Sequence, residues 1–153
     1  MPKSAVNPIV LYDGICGLCN RLIQFLLKRD VNDRFRFAPL QSEFADSLLR
    51  RHGINAIDLD TVYVVVDHSR STERVLARSD AMLLVMQELG GIWSAARLGT
   101  LVPRFIRNRL YDLVARNRYR IFGKHDSCML PEKRHQHKFL DLAGSPEVRQ
   151  WIN

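Results

Sequence analysis

Long hydrophobic runs are missing from this chain of 153 residues. No apolar stretch approaches the roughly 20 residues that a membrane-spanning helix requires. Residues 1–7 also lack the hydrophobic centre of a signal peptide. We therefore expect a protein without a membrane span that stays in the cytoplasm.

Cysteine is scarce as well: the chain has three, of which two form a Cys-x-x-Cys motif and one is left over. Such a set is a poor framework for structural disulfides and suits a reducing compartment in which thiols do chemistry. Disulfides are not needed for folding either, because 153 residues that are 46% hydrophobic and 25% charged can bury a core of their own. The composition predicts a single ordered domain over residues 1–153.

The Cys-x-x-Cys motif stands where a short apolar run meets an amphipathic helix. Residues 9–12 are typical of a buried strand, and Leu18, Leu22 and Leu26 recur at helical spacing, which places both cysteines in the first helical turn. Unpaired N–H groups and the positive end of the helix dipole favour a thiolate there, and the thiolate is the species that attacks disulfides. We expect Cys16 to be a solvent-facing nucleophile. Cys19, one turn later and turned toward the protein, would resolve the mixed disulfide.

Residues 13–19, Asp-Gly-Ile-Cys-Gly-Leu-Cys, match the Asp-x-x-Cys-x-x-Cys signature of the DCC family. Residues 37–41, 111–119 and 128–131 also resemble that family, so the likeness spans about residues 8–131. The family consists of small proteins predicted to be thiol-disulfide oxidoreductases with a thioredoxin-like fold. The resemblance implies exchange with a protein or small-molecule disulfide or thiol. No dissociable cofactor is expected, since the electrons pass through the cysteines themselves.

Asp13 belongs to that signature and allows two interpretations. Three residues before Cys16, its carboxylate can accept a thiol proton or hold a backbone N–H of the turn, and so tune or orient the nucleophile. Asp-Gly after a strand is also a common turn pair without any chemistry. Both interpretations stay open, and Asp13 joins Cys16 and Cys19 as a candidate catalytic residue.

Periodicity along residues 8–91 predicts the order strand-helix-strand-helix-strand-strand-helix. Phe35 and Phe37 alternate with arginines in the second strand, and Ser42 is a plausible cap for the second helix. β-Branched and aromatic residues fill positions 61–66, as in a central strand, and Ser79 is expected to cap the third helix. This α/β order, βαβαββα, is that of a thioredoxin-like module, with another small α+β sandwich as the competing topology.

One feature of thioredoxin-like enzymes is lacking. Those enzymes usually carry a cis-proline before the third strand, where it faces the cysteines and guides the substrate backbone. Residues 58–62 contain no proline. We therefore expect a different substrate-docking surface.

A basic helical extension is predicted over residues 92–142, followed by a tail over residues 143–153. Residues 97–138 hold 11 Lys or Arg against 3 Asp or Glu, a balance of +8, so the whole net charge of +7 is located there. Val102, Ile106, Leu110 and then Leu113 or Val114 line one face of a helix in this region. We interpret the charge as a solvated arginine face around that apolar stripe, and we expect no nucleic-acid partner, because no nucleic-acid motif accompanies it.

Zinc binding is the main alternative to redox chemistry. Cys16 and Cys19 supply half of a tetrahedral site, and Cys128 with a C-terminal histidine (His125, His135 or His137) can supply the rest. Against this, the two motif cysteines open a helix, and the second group lacks a clean ligand pair. A buried Cys128 and exposed histidines are the simpler interpretation.

Overall fold

A computed structural model of the protein describes residues 7–55, 61–124 and 132–140. Strands and helices follow the predicted order βαβαββα, and a helical extension comes after them as expected. The elements are β1 (Ile9–Tyr12), α1 (Gly17–Arg29), β2 (Arg36–Pro39), α2 (Glu43–Arg51), β3 (Tyr63–Val66), β4 (Arg74–Ala77), α3 (Arg78–Leu89), a first 3-10 helix (Gly91–Leu101), α4 (Arg104–Phe122) and a second 3-10 helix (Lys133–Lys138).

The four strands form one mixed sheet in the order β2-β1-β3-β4. β1 pairs in parallel with β2 and antiparallel with β3, and β4 is antiparallel to β3. A parallel pair needs a crossover, which α1 supplies, whereas a tight loop suffices between β3 and β4. This is the predicted thioredoxin-like arrangement. It places the first turn of α1 at the carboxyl end of the central strand β1.

The sheet separates two apolar cores, because alternate residues of a strand point to opposite faces. On one face, α1 and α3 cover Val10 and Val64, and this core includes both motif cysteines. On the other face, α2 covers Leu11 and Val65. Burial on both faces explains why β1 and β3 consist of continuous apolar residues. The site therefore rests on strands that are buried on both faces.

The two predicted caps had different outcomes. The Ser42 hydroxyl does cap α2, since it accepts a hydrogen bond from the Ala45 N–H at 3.2 Å. The prediction for Ser79 was wrong: α3 begins at Arg78, after Ala77, and Ser79 lies inside the first turn. Its hydroxyl instead donates to the Asn108 side-chain oxygen at 2.6 Å. That partner lies on α4, so the residues around Ser79 could not reveal it.

The apolar stripe expected along α4 is present, but it lies on the solvent side. Leu110 and Leu113 are each 61% exposed, and the fully buried residue of this helix is Arg118. The inner side of α4 packs against α1 and α3. The physical reason is that the inner side supplies polar partners to the site, which is described below.

Several predicted features lie outside the described residues: the proline-free segment at residues 58–60, His125, the family-like stretch at residues 128–131 with Cys128, and the tail at residues 143–153. Within the ranges given above, no helix combines the length and the apolar character needed to cross a bilayer.

Candidate active site

The two cysteines lie at the junction between β1 and α1. Cys16 is the residue that precedes the helix, with an extended backbone and no hydrogen bond from its side chain to the first turn. The turn before it is held by Asn20, whose buried amide donates to the Gly14 carbonyl at 3.1 Å. The Cys16 sulfur is therefore available to the free N–H groups of the helix end.

The surroundings of Cys16 favour its thiolate. The Cys19 thiol donates a hydrogen bond to it, and this is the main cause that lowers the pKa of Cys16 from 9.0 to about 6. Backbone N–H groups of Cys19 and Leu18 and the positive charge of Arg118 lower this pKa further, while burial opposes them. A thiol with such a pKa is mostly ionised at neutral pH.

Cys19 shows the opposite behaviour. Its hydrogen bond to Cys16, its burial and the negative charge of Cys16 raise the pKa of Cys19 far above the ordinary value. One thiol is thus ionised and the other protonated, although only two residues separate them. This inequality is what sequential attack and resolution require.

Asp13 is buried and accepts hydrogen bonds from several directions. One carboxylate oxygen accepts from the Ile15 N–H at 3.2 Å and from the Gln41 amide at 2.7 Å. The other oxygen pairs with the Arg118 guanidinium at 3.1 Å and accepts from the Tyr119 hydroxyl. Asp13 therefore holds a backbone N–H of the turn, as one sequence interpretation had it, and it also pairs with a cation that the sequence did not indicate. Its role as a catalytic residue stays a prediction.

Arg118, Tyr119 and Gln41 were not predicted as site residues. The Arg118 side chain is 3% exposed, and its guanidinium also donates to the Tyr119 hydroxyl at 2.9 Å. Its charge lowers the pKa of both Cys16 and Cys19. In the sequence, Arg118 and Tyr119 belong to the family-like stretch at residues 111–119. The arginines of that stretch also fit a solvated helix face, so the pattern alone does not single out Arg118.

A second tyrosine of residues 111–119 forms a hydrogen bond just before β3, beside the site. The Tyr111 hydroxyl accepts a hydrogen bond from the Val62 N–H at 2.9 Å, just before β3. Burial is the main cause that raises the pKa of Tyr111 to about 12. The residues that precede β3 are thus engaged by α4.

The end of α4 covers Cys16. The Gly17 N–H donates to the Gly123 carbonyl at 3.1 Å, and Cys16 forms an isolated antiparallel bridge with Lys124. Cys16 is 0% exposed as a result, so the expectation that it faces solvent was wrong. Glycine is required at position 17 because a Cβ atom there would collide with the Phe122 carbonyl. Residues 122–124, which we name the cover segment, close the site in this state.

An apolar cavity of about 320 Å³ lies beside Cys19, between α1, α3 and α4. Its walls are Leu18, Leu22, Val62, Met82, Leu110, Tyr111, Val114 and Ala115, with Cys19 and Arg118 also contributing. The cavity adjoins Cys19 and not Cys16.

The geometry offers little to a metal ion. In the part of the chain that the structure describes, no three His, Cys, Asp or Glu side chains are arranged to hold one. His137, one of the candidate ligands, contacts the Asp33 carboxylate at 3.3 Å. The zinc alternative would therefore depend on residues outside the described ranges.

Comparisons with known proteins bear on the family of this chain. The family model of the DCC1-like thiol-disulfide oxidoreductases matches residues 10–124. The chain is 37% identical over 134 residues to the uncharacterised protein YuxK of Bacillus subtilis, a match covering 88% of this chain and 94% of that protein. It is 40% identical over 125 residues to a DCC family protein of Arabidopsis thaliana named as chloroplastic, covering 81% of this chain and 70% of that protein. No solved structure matches the chain. The chain belongs to the DCC1-like thiol-disulfide oxidoreductase family.

Proposed function

We propose that this protein exchanges thiols and disulfides through Cys16 and Cys19, with Cys16 as the nucleophile and Cys19 as the resolving thiol. The observation that carries the proposal is the inequality of the two thiols, in which the pKa of Cys16 is lowered to about 6 and that of Cys19 is raised. A helix N-terminus and a buried guanidinium act together on the same sulfur.

The reaction takes two steps. In the first, the Cys16 thiolate attacks one sulfur of a substrate disulfide, forms a mixed disulfide and releases the other sulfur as a thiolate that takes up a proton. In the second, Cys19 loses its proton and attacks the Cys16 sulfur, which closes the Cys16–Cys19 disulfide and releases the reduced substrate. The dithiol gives up two electrons. A second thiol compound returns them, and the same steps run in reverse oxidise a dithiol substrate.

Asp13 acts in this scheme as a positioning residue. It pairs with Arg118 at 3.1 Å, and the Tyr119 hydroxyl fixes the same carboxylate oxygen. Arg118 in turn stabilises negative charge on the sulfur. Asp13 thus tunes the nucleophile through the cation, and the pair adds no net charge to the buried site.

Access to Cys16 requires the cover segment to move, because the thiol is fully buried while Gly123 and Lys124 lie on it. Among the described residues, the Gly17 N–H to Gly123 carbonyl bond joins the segment to α1. Gly123 has a φ of +80°, a conformation in which glycine is not strained. We propose that a disulfide substrate displaces this segment when it binds.

We place the protein in the cytoplasm, as a proposal. A reducing compartment would keep the Cys16–Cys19 pair as a dithiol between turnovers. The Arabidopsis relative is named as chloroplastic, and that label applies to that protein.

Trapping of a mixed disulfide tests the division of roles. Cys19→Ser should accumulate a covalent adduct with glutathione disulfide, detected by mass spectrometry of the intact protein, because the first step proceeds and the second cannot. Cys16→Ser should form almost no adduct, and Cys128→Ser should behave like the unmodified protein. Trapping on Cys19 instead would reverse the roles. An absence of trapping on either thiol, or stoichiometric zinc in the purified protein with both thiols blocked, would contradict the redox function.

A further inference from the structure

The outer side of α4 differs from the rest of the surface. A helix has about 3.6 residues per turn. On the side of α4 that faces away from α1 and α3, this spacing places Arg109, Arg116 and Arg120 along one flank. All three are exposed. The other flank of the same side carries the exposed apolar residues Ile106, Leu113 and Ile121. Leu110 and Val114 lie at its edge, where they are partly exposed and also line the cavity beside Cys19. We name these two flanks together the outer face of α4.

Large apolar side chains are also exposed in the first turn of α4 and just before it. Phe105 is 71% exposed, and Leu101, at the end of the first 3-10 helix, is 80% exposed. A contiguous set of exposed apolar side chains on a soluble domain marks an interaction surface. Leu101, Phe105 and Leu113 are largely exposed and do not belong to the walls of the cavity beside Cys19, so a partner would have to accept them itself.

The charge of the outer face has a single sign. Asp112 is the one carboxylate of α4, and it lies toward the inner side, where it pairs with Arg78 at 3.7 Å. The inner residue Arg107 is likewise paired, with Asp80 at 3.0 Å. Positive charge on the outer face is therefore not offset by acidic residues of the same helix.

We propose that the outer face of α4 docks on an anionic lipid bilayer. An arginine flank beside a flank of leucine, isoleucine and phenylalanine is the composition of a helix that lies in the plane of a membrane interface. The arginines would meet lipid phosphates, and the apolar residues would enter the acyl boundary. A fluid bilayer accepts projecting side chains, whereas a protein partner would need pockets of complementary shape.

Two other occupants fit less well. A second copy of this chain would bring the same arginines together across a two-fold contact, and like charges repel. Nucleic acid would satisfy the arginines but leave at least six exposed apolar side chains without partners. The dimer is a separate outcome of the test.

Vesicle flotation tests the proposal with the full chain. At low ionic strength the protein should float with vesicles of equal parts phosphatidylglycerol and phosphatidylcholine, and it should not float with phosphatidylcholine alone. Arg109→Glu with Arg116→Glu should weaken binding to the anionic vesicles by about tenfold or more, because each basic residue near an anionic surface adds to the attraction. Added salt should weaken it as well.

The apolar flank has its own variants and matched controls. Ile106→Ser with Leu113→Ser should weaken vesicle binding by about tenfold, since two aliphatic groups that would enter the acyl boundary of the bilayer are lost. The same changes made elsewhere, Val31→Ser at a residue that is 86% exposed and Arg70→Glu in an exposed loop, should leave binding unchanged. A thermal melt of each variant confirms folding, and Phe105→Ser with Ile121→Ser provides a second apolar pair if the first is unstable.

Several outcomes would overturn the proposal. One is an absence of flotation with the anionic vesicles at low ionic strength. Another is equal flotation of the control and outer-face variants. A third is a dimer in sedimentation that Leu113→Ser dissociates, together with no binding to vesicles. The outer face of α4 would then join two copies of the chain. None of these results depends on thiol chemistry, so they leave the redox proposal to its own test.

Discussion

The helices α1 and α4 pack against each other, yet they bury opposite kinds of residue. α1 places Ile23 and Leu26 in the core and turns Arg21 to solvent. α4 buries Arg118 and leaves Leu113 exposed. Hydrophobicity explains the first arrangement, whereas the second follows from one polar partner, the carboxylate of Asp13.

This difference separates the residues that stabilise the fold from those that act on the cysteines. Removing a guanidinium from water costs on the order of several kcal/mol of free energy, as it does for other buried ions. A paired carboxylate offsets only part of this cost. An apolar residue at position 118 would pack against α1 without such a cost. The buried cation is best explained by its effect on the thiols, because its charge lowers the pKa of Cys16. α1 therefore supports the fold in the ordinary way, and the inner side of α4 serves the site.

The largest effect is expected from removing the buried cation. Arg118→Met should reduce the free energy of unfolding by about 3–5 kcal/mol, because it leaves the Asp13 carboxylate buried without its charge partner. Urea denaturation measures this loss. Arg116→Met, on the exposed side of the same helix, should change stability by less than about 0.5 kcal/mol.

The double variant Asp13→Asn with Arg118→Met separates pairing from packing. It should recover part of the lost stability, since no charge is then left unpaired, while the pKa of Cys16 should stay higher than in the unmodified protein. If the stability loss of the double variant equals the sum of the losses measured for Asp13→Asn and Arg118→Met alone, the loss comes from packing and not from the ion pair.

The pH dependence of stability tests whether the folded protein lowers the pKa of Cys16. The pKa of Cys16 is lowered from 9.0 to about 6 in the folded state. Between these values the unfolded chain binds more protons at this site, so the contribution of Cys16 to the free energy of unfolding should rise with pH and be lost as the pH falls through 6. The difference between the unmodified protein and Cys16→Ser, measured under reducing conditions, isolates this contribution. A flat difference from pH 6 to 9 would contradict the lowered pKa.

The contact between α1 and the end of α4 can be broken at Gly17. Gly17→Ala places a methyl group against the Phe122 carbonyl, so the cover segment must shift, at a cost of about 1–3 kcal/mol. Iodoacetamide should then alkylate Cys16 faster than in the unmodified protein. Gly53→Ala is the control: its φ of +71° makes the change unfavourable, but open space surrounds it, and alkylation should not change.

Local pattern was sufficient for the part of the site that is close in sequence. The apolar run of β1 and the spacing of Leu22 and Leu26 placed the cysteines at the first turn of α1, and the order of elements predicted the thioredoxin-like sheet. The partners of Asp13 were beyond such reasoning, because Tyr119 is 106 residues away. Periodicity also favours an apolar inner side for any amphipathic helix. α4 departs from that rule for the polar groups of the site, which no local pattern encodes.

The smallest expected effect compares the two sides of α4 directly. Tyr111→Phe removes the hydroxyl that accepts from the Val62 N–H at 2.9 Å, and the buried N–H is left without this acceptor, at a cost of about 1 kcal/mol. Leu113→Ser deletes a larger apolar group, yet it should cost less than about 0.5 kcal/mol, because that side chain is already 61% exposed. Denaturant midpoints of the two variants at equal protein concentration decide the order. If Leu113→Ser proves the more destabilising change, the outer face of α4 is covered in the free protein and the assignment of its two sides has to be reversed.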